Sequence, residues 1–307
     1  MNTLSRVLIS GASGLIGTAL VRALTANQIS VVRLVRKRKE NGQQEICWSP
    51  FTSPAIATLS ELENFDAVIH LSGANVAAHR WTDAYKKEIV ESRVRTTKTL
   101  AELLAGLKNP PRTFLCASAI GIYGNREDEV LTEASAPGTG FLAETCVAWE
   151  SAAQAAKNAG IRTVHLRFGV VLSAEGGALT KMLPLFRLGL GGRLGSGQQW
   201  ISWISLPDLV SAVSYLISTS QIAGPMNMVS PNPVTNAEFT QTLARAVHRP
   251  AMFPAPAFAL RAVLGEMADE TLLASARVVP AQLTQGGFQF NHAQLGPALE
   301  SLLAKSS

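Results

Sequence analysis

Cysteine is scarce in this chain: Cys47, Cys116 and Cys146 are the only three in 307 residues. They are odd in number, far apart and in apolar company, which excludes a disulfide scaffold and points to free thiols in a reducing compartment. Long hydrophobic runs are also missing. The opening stretch RVLISGASG carries about four apolar residues in a row, too few for a signal-peptide core or a membrane span. A cytoplasmic protein without membrane contact is therefore expected. Negative charge is absent from the first 39 residues, where no Asp or Glu occurs. Aromatic residues make up 6% of the chain and do not interleave with its basic residues. With no known nucleic-acid motif either, no nucleic-acid partner is expected.

What is present is an apolar, globular composition, 47% hydrophobic and 16% charged. It suffices for one large domain, alone or with a smaller one. The net charge of +5 is concentrated in RLVRKRK at 33–39. Short apolar strands are expected at 7–10, 30–35, 67–73, 113–118 and 163–168. Helical periodicity falls between them at 16–26, 83–106 and 141–158. This alternation predicts an α/β fold, a Rossmann-type doubly wound parallel sheet with right-handed crossovers. Beyond residue 170 the pattern loosens. A glycine-rich loop at 189–197, a helix at 206–217, a helix at 236–247 opened by a Thr235/Glu238 capping box, a proline-rich stretch at 249–258 and a strand GFQF at 287–290 are read there. The expected organisation is a dinucleotide-binding domain over 1–170, whose sheet recruits later strands if any, and a smaller substrate lobe over 171–307 with a distinct C-terminal segment near 249–300.

GASGLIG at 11–17 lies between a readable strand and a readable helix. Glycine there permits a tight turn and lets backbone amides approach a pyrophosphate at a helix N-terminus. An NAD site usually places a carboxylate about 20 residues on, to accept from the ribose 2′-OH. Here that position holds Arg36, followed by Lys37 and Arg38. A guanidinium pairs with a 2′-phosphate that a carboxylate would repel, so NADP(H) is the expected cofactor. No metal is expected.

The spacing of three between the glycines, SAIGIYG at 118–124 and WISLPDLV at 203–210 resemble the extended short-chain dehydrogenase/reductases. The strings LSGANVAAHRWTDAYKKEIVESRVRTT, FLAETCVAWE, GGALTKMLPLFRLGLGGRLGSGQQWISWISLPDLV and GFQF resemble, over nearly the whole chain, the atypical subfamily usually labelled epimerase-family protein. That resemblance implies an NADP-binding Rossmann domain with a short C-terminal domain of its own. Carried over by motif, Gly11, Ala12, Ser13, Gly14, Leu15, Ile16 and Gly17 would cradle the pyrophosphate, and Arg36 and Lys37 the 2′-phosphate. Ser72, Gly73 and Ala74 would run beside a ribose. Arg167, Phe168, Gly169 and Val170 would approach the nicotinamide. Ser205 departs from the subfamily, which usually has histidine there.

The usual catalytic pair is missing. Such enzymes employ Tyr-x-x-x-Lys on one helix face, the tyrosine as acid and the lysine as its electrostatic support. The three tyrosines, Tyr85, Tyr123 and Tyr215, are followed four residues later by Ile89, Glu127 and Thr219. Aligning on Glu150 puts Leu142 at the tyrosine position and Cys146 at the lysine position. The partner hydroxyl falls on Ser118 counting forward from the strand, or on Ala119 counting back from Tyr123. Ser118 and Tyr123 are the catalytic candidates, Tyr123 being alternatively a packed aromatic. Cys146 has no adjacent base and reads as a structural thiol, His70 as a core histidine. On the substrate side stand Arg80 and Trp81, suited to a nucleotide-like anion, and Lys181, Gln199 and Trp203 around a 189–197 loop able to close over a ligand. Two readings remain: an NADP(H)-dependent nucleotide-sugar epimerase or oxidoreductase with a non-standard acid, or a non-catalytic NADP(H)-binding regulatory protein.

Overall fold

The computed structural model describes residues 4–38 and 44–304. Seven strands form one parallel sheet: β1 (Arg6–Ser10), β2 (Ser30–Val35), β3 (Glu45–Cys47), β4 (Ala67–His70), β5 (Thr113–Ala119), β6 (Arg162–Phe168) and β7 (Gly224–Met228). Their spatial order is β7-β6-β5-β4-β1-β2-β3. The central strands are covered on both faces, which is why β1, β4 and β5 read as continuous apolar runs rather than as alternation.

Among the described residues ten α-helices flank and extend the sheet: α1 (Leu15–Ala26), α2 (Asp83–Ala105), α3 (Phe141–Ser151), α4 (Gln154–Asn158), α5 (Gly177–Arg187), α6 (Leu206–Ser218), α7 (Asn236–Ala246), α8 (Ala257–Leu264), α9 (Ala281–Gln285) and α10 (Leu295–Ala304). Successive strand residues face opposite sides. Val7 and Ile9 meet Leu20 and Leu24 of α1 and Leu209, Val213 and Leu216 of α6. Leu8 meets Leu100 and Leu104 of α2 and Ala156 of α4 on the other face. A third core joins α5, α7 and α10 through Leu183, Phe186, Phe239, Leu243 and Leu299. Within it, α7 opens with the expected reciprocal Thr235/Glu238 box.

Two details differ from the sequence reading. The helix expected over 141–158 breaks at Ala152–Ala153 into α3 and α4. GFQF is not a strand: Gly287 has φ +82°, and the rings of Phe288 and Phe290 pack edge to face at 4.8 Å. The sheet recruits a later strand, as the sequence reading allowed: α6 covers it and β7 forms its edge beside β6. Among the described residues no helix is long and apolar enough to cross a membrane.

Candidate functional site

The β1–α1 loop is shaped by its glycines. Gly11 takes φ +69°, and a Cβ on it would lie 2.8 Å from the Leu71 carbonyl carbon. A Cβ on Gly17 would lie 2.3 Å from Gly11 O, so the first turn of α1 sits directly on the loop. Gly14 caps α1 without a side-chain hydrogen bond. The first N–H groups of that helix are therefore left to whatever occupies the space in front of them. That space is a cavity of about 990 Å³ at the carboxyl ends of the strands, where ligands of such sheets bind. Gly11, Gly14, Leu15, Ile16 and Gly17 line it, as do Gly73, Phe168, Gly169 and Val170. Ala12 is buried and Ser13 exposed. Neither these two nor Ser72 and Ala74 line the cavity, and Ser72 Oγ donates to Ser10 Oγ at 3.2 Å. Arg36, Lys37 and Arg38 are exposed just after β2; Lys39, the last residue of the basic run, lies outside the described residues. The bare backbone at Gly14 and the uncapped first turn of α1 fit a dinucleotide pyrophosphate.

One face of α3 also lines the cavity, through Leu142, Thr145, Cys146 and Trp149. Burial, then the charge of Glu150, pushes the Cys146 thiol up to about 11, so it is neutral. A cation that the sequence reading missed stands beside it. Arg93 of α2 also lines the cavity. Its Nη2 donates to Ala74 O at 2.8 Å, its Nη1 to Ile89 O at 3.0 Å, and its Cζ lies 5.1 Å from the Trp149 ring centroid. A Cβ on Gly73 would come within 3.4 Å of Arg93 Cγ and Cζ. Burial lowers its pKa from the usual guanidinium value, and its charge in turn pulls the Cys146 pKa down. The cleft is thus not stripped of positive charge by the loss of lysine at 146.

Two expected site residues point elsewhere. Tyr123 is fully buried; its hydroxyl donates to Asn227 Oδ1 at 2.7 Å and accepts from Arg167 Nη1 at 2.9 Å. Burial raises its pKa, and it does not line the cavity. It is the packed aromatic of the two alternatives. Arg167 turns away from the cavity into a bidentate pair with Glu150, Nε to Oε1 at 2.8 Å and Nη2 to Oε2 at 2.9 Å. Burial alone would lower its pKa, but Glu150 overrides this and raises it. Ser118 does line the cavity, and its Oγ donates to Glu150 Oε1 at 2.8 Å.

The residues expected around a substrate are largely displaced. Arg80 is exposed, and Trp81 Nε1 donates to Val76 O at 2.8 Å while its ring meets Phe141 at 5.0 Å. Neither lines the cavity. Lys181 is exposed on α5, which presents Gly177, Ala178 and Met182 instead. The Gln199 amide is spent on Leu194 O and Leu272 O, both at 3.0 Å. Trp203 is buried and donates to Asn232 O at 3.0 Å. The 189–197 loop is pinned rather than free to close, by the bridges Leu190–Ala251 and Leu194–Ala255 and by Leu194 N donating to Asn236 Oδ1 at 2.8 Å. The wall opposite the cofactor loop comes from Trp200, Ile201 and a C-terminal strap of Arg261 and 269–274. Glu270 on that strap accepts from Phe141 N at 3.2 Å and Leu142 N at 3.1 Å, capping α3.

Comparison with known proteins agrees with this architecture. The model of the NAD dependent epimerase/dehydratase family matches residues 7–229, and that of a domain of unknown function, DUF1731, matches 255–302. The epimerase family protein Mb2239 of Mycobacterium bovis is 46% identical over 293 residues, covering 95% of this chain and 96% of its own. A crystal structure of human epimerase family protein SDR39U1 with NADPH superposes with a TM-score of 0.89 at 33% identity, over 97% of this chain and 99% of that one. The nucleoside-diphosphate sugar epimerase of Corynebacterium glutamicum superposes with a TM-score of 0.81 at 36% identity; this chain is covered to 99% and accounts for 59% of that longer one.

Proposed function

Because the chain belongs to the NAD dependent epimerase/dehydratase family and carries a C-terminal DUF1731 segment, we propose that it is an NADP(H)-dependent oxidoreductase acting on a small substrate with a non-standard proton path. The observation that carries this reading is the continuity of the cavity at the strand ends. The cavity runs from the glycine loop to a wall supplied by the C-terminal lobe, and so has room for more than a cofactor phosphate. In this reading the amides of 11–17 hold the pyrophosphate, Arg36 and Lys37 the 2′-phosphate, and 72–74 a ribose. Phe168, Gly169 and Val170 form the floor for the nicotinamide. The NADPH in the human relative supports this choice of cofactor. The dinucleotide, when bound, supplies or accepts a hydride. Ser118 holds the substrate oxygen: its hydroxyl donates to Glu150 in the ligand-free site, and turned toward the cavity it donates to a substrate carbonyl. Arg93 supplies the positive charge that a lysine on α3 would have given.

Leu142 cannot donate a proton, and a general acid contributes ~10²–10⁴-fold, or roughly 3–6 kcal/mol of barrier. Slow turnover is expected. Leu142 and the neutral Cys146 favour a second reading, a regulatory protein that binds NADP(H) without consuming it. Deuterium-labelled NADPH separates the two. The loaded protein is incubated with a panel of ketones, aldehydes and UDP-4-keto-sugars, and products are examined by mass spectrometry. Label appearing in any product supports the oxidoreductase; tight NADPH binding with no label anywhere in the panel establishes the regulatory reading in its place.

A further inference from the structure

Resting on the oxidoreductase reading, we propose that the substrate half of the cavity is built for an uncharged, largely apolar molecule bearing one oxygen function, and not for a nucleotide diphosphate. A diphosphate needs either cations or unsatisfied backbone amides to replace its water. On the wall contributed by residues beyond 171, the charged members among the described residues are Arg261, Asp269 and Glu270, one cation against two carboxylates. The Arg261 guanidinium is already paired with Asp269 at 2.9 Å. The expected cations, Arg80 and Lys181, are outside the cavity.

Two helix N-termini on the substrate side are closed in the same sense. The first amides of α3, at Phe141 and Leu142, are a natural phosphate seat, and the Glu270 carboxylate occupies them. The first turn of α7, reached by Asn236 at the cavity edge, is shut by its own Thr235/Glu238 box. The first turn of α5 faces the cofactor loop, where a Cβ on Gly177 would meet Leu15 Cδ2 at 3.2 Å. A carboxylate at the mouth of α3 repels a phosphate that the bare helix would attract. The rest of this wall is mainly apolar, through Met182, Trp200, Ile201, Phe239, Leu272 and Leu273, and its polar members are engaged within the protein: Ser202 Oγ donates to Ala276 O, Thr271 Oγ1 to Met267 O, and Asn236 Oδ1 accepts from Leu194 N. Hydrocarbon placed there gains the transfer free energy of each buried methylene, while the oxygen function meets Ser118 across the cavity.

Calorimetric titration of the NADPH-loaded protein tests this with two probes, UDP-glucose and the methyl ketones from butanone to nonanone. Affinity should rise roughly three- to fourfold per added methylene until the pocket is full. UDP-glucose should give no saturable heat. Leu273→Gln should flatten the ketone series and leave NADPH affinity within about twofold, the scatter expected of a distant site. UDP-glucose binding as tightly as the longest ketone, or a series flat in the wild type, would overturn the proposal. Ketone binding without label transfer from NADPH would keep the ligand class and remove the oxidoreductase reading. Label transfer to a UDP-4-keto-sugar would do the reverse.

Discussion

Arg167→Met separates a structural arginine from a cofactor ligand. The guanidinium makes three hydrogen bonds, two to Glu150 at 2.8 and 2.9 Å and one to Tyr123 Oη at 2.9 Å. The side chains of Arg167 and Glu150 are only 8% and 14% exposed, so water does little to screen the pair. Removing the arginine leaves Glu150 with Ser118 Oγ as a donor and an uncompensated charge in a poorly hydrated place. Breaking a buried pair from one side costs about 3–5 kcal/mol. Urea midpoints, with an unchanged m-value, measure the loss. Adding Glu150→Gln should recover much of the loss, since the two side chains form one unit. NADPH affinity of the folded variant should stay within about twofold, because Arg167 does not line the cavity. A loss below about 1 kcal/mol, or a collapse of NADPH affinity at intact stability, would refute the reasoning.

Arg93→Met should weaken NADPH binding by roughly 10–100-fold, the worth of one charge-assisted bond, with Arg93→Lys intermediate; calorimetry on folded variants decides, and unchanged affinity would place Arg93 outside the cofactor's reach. Arg36→Ala should weaken NADPH by ~1–3 kcal/mol and leave NADH nearly unaffected; equal losses for both cofactors would show that Arg36 does not read the 2′-phosphate. His70 is buried between Ser10 and Thr96, and burial pushes its pKa down to about 3. The unfolded chain takes up that proton near pH ~6.5, so stability should fall between there and about pH 3, by roughly 1.4 kcal/mol per unit. His70→Gln should reduce that slope in a urea series, and an identical slope in the variant would count against His70.

The β1–α1–β2 unit was legible because each signal in it is local. A short apolar run, a glycine triplet, helical periodicity and a β-branched strand each need only neighbouring residues. The edge strand β7 was not, since GPMNM carries no β-branched residue and becomes a strand through pairing with β6. At the site, sequence located strand ends but not side-chain directions. Ser118 and Arg167 are register partners on β5 and β6, so both lean to the face where Glu150 waits. Only the shorter of the two also stays on the cavity wall. Arg93 looked like any other cation on an amphipathic helix until Gly73 and Trp149 were in place around it. Glu270 reaches α3 across 128 residues of chain, a pairing no spacing rule anticipates. The histidine absent at 205 has a spatial counterpart, because His292 Nδ1 lies 2.9 Å from Ser205 Oγ.

The substitutions on α3 form a set with their surroundings rather than isolated losses. A lysine at 146 would bring its ammonium beside the Arg93 guanidinium in a buried place, and two like charges there disfavour each other's charged form. A small neutral thiol avoids that conflict, and the cation is delivered from α2 instead of α3. A phenol at 142 would enter the wall now shared by Leu142 and Gly121, where a Cβ on the glycine would already sit 3.4 Å from Leu142 Cβ. The amide of Leu142 is tied to Glu270, so the backbone there is fixed by the C-terminal segment. Charge at the cofactor, an apolar surface at the substrate and a carboxylate sealing α3 are thus mutually dependent features. Restoring the usual pair alone would add a charge conflict at Arg93 while leaving the apolar wall and the Glu270 cap in place, and so would not rebuild a nucleotide-sugar site.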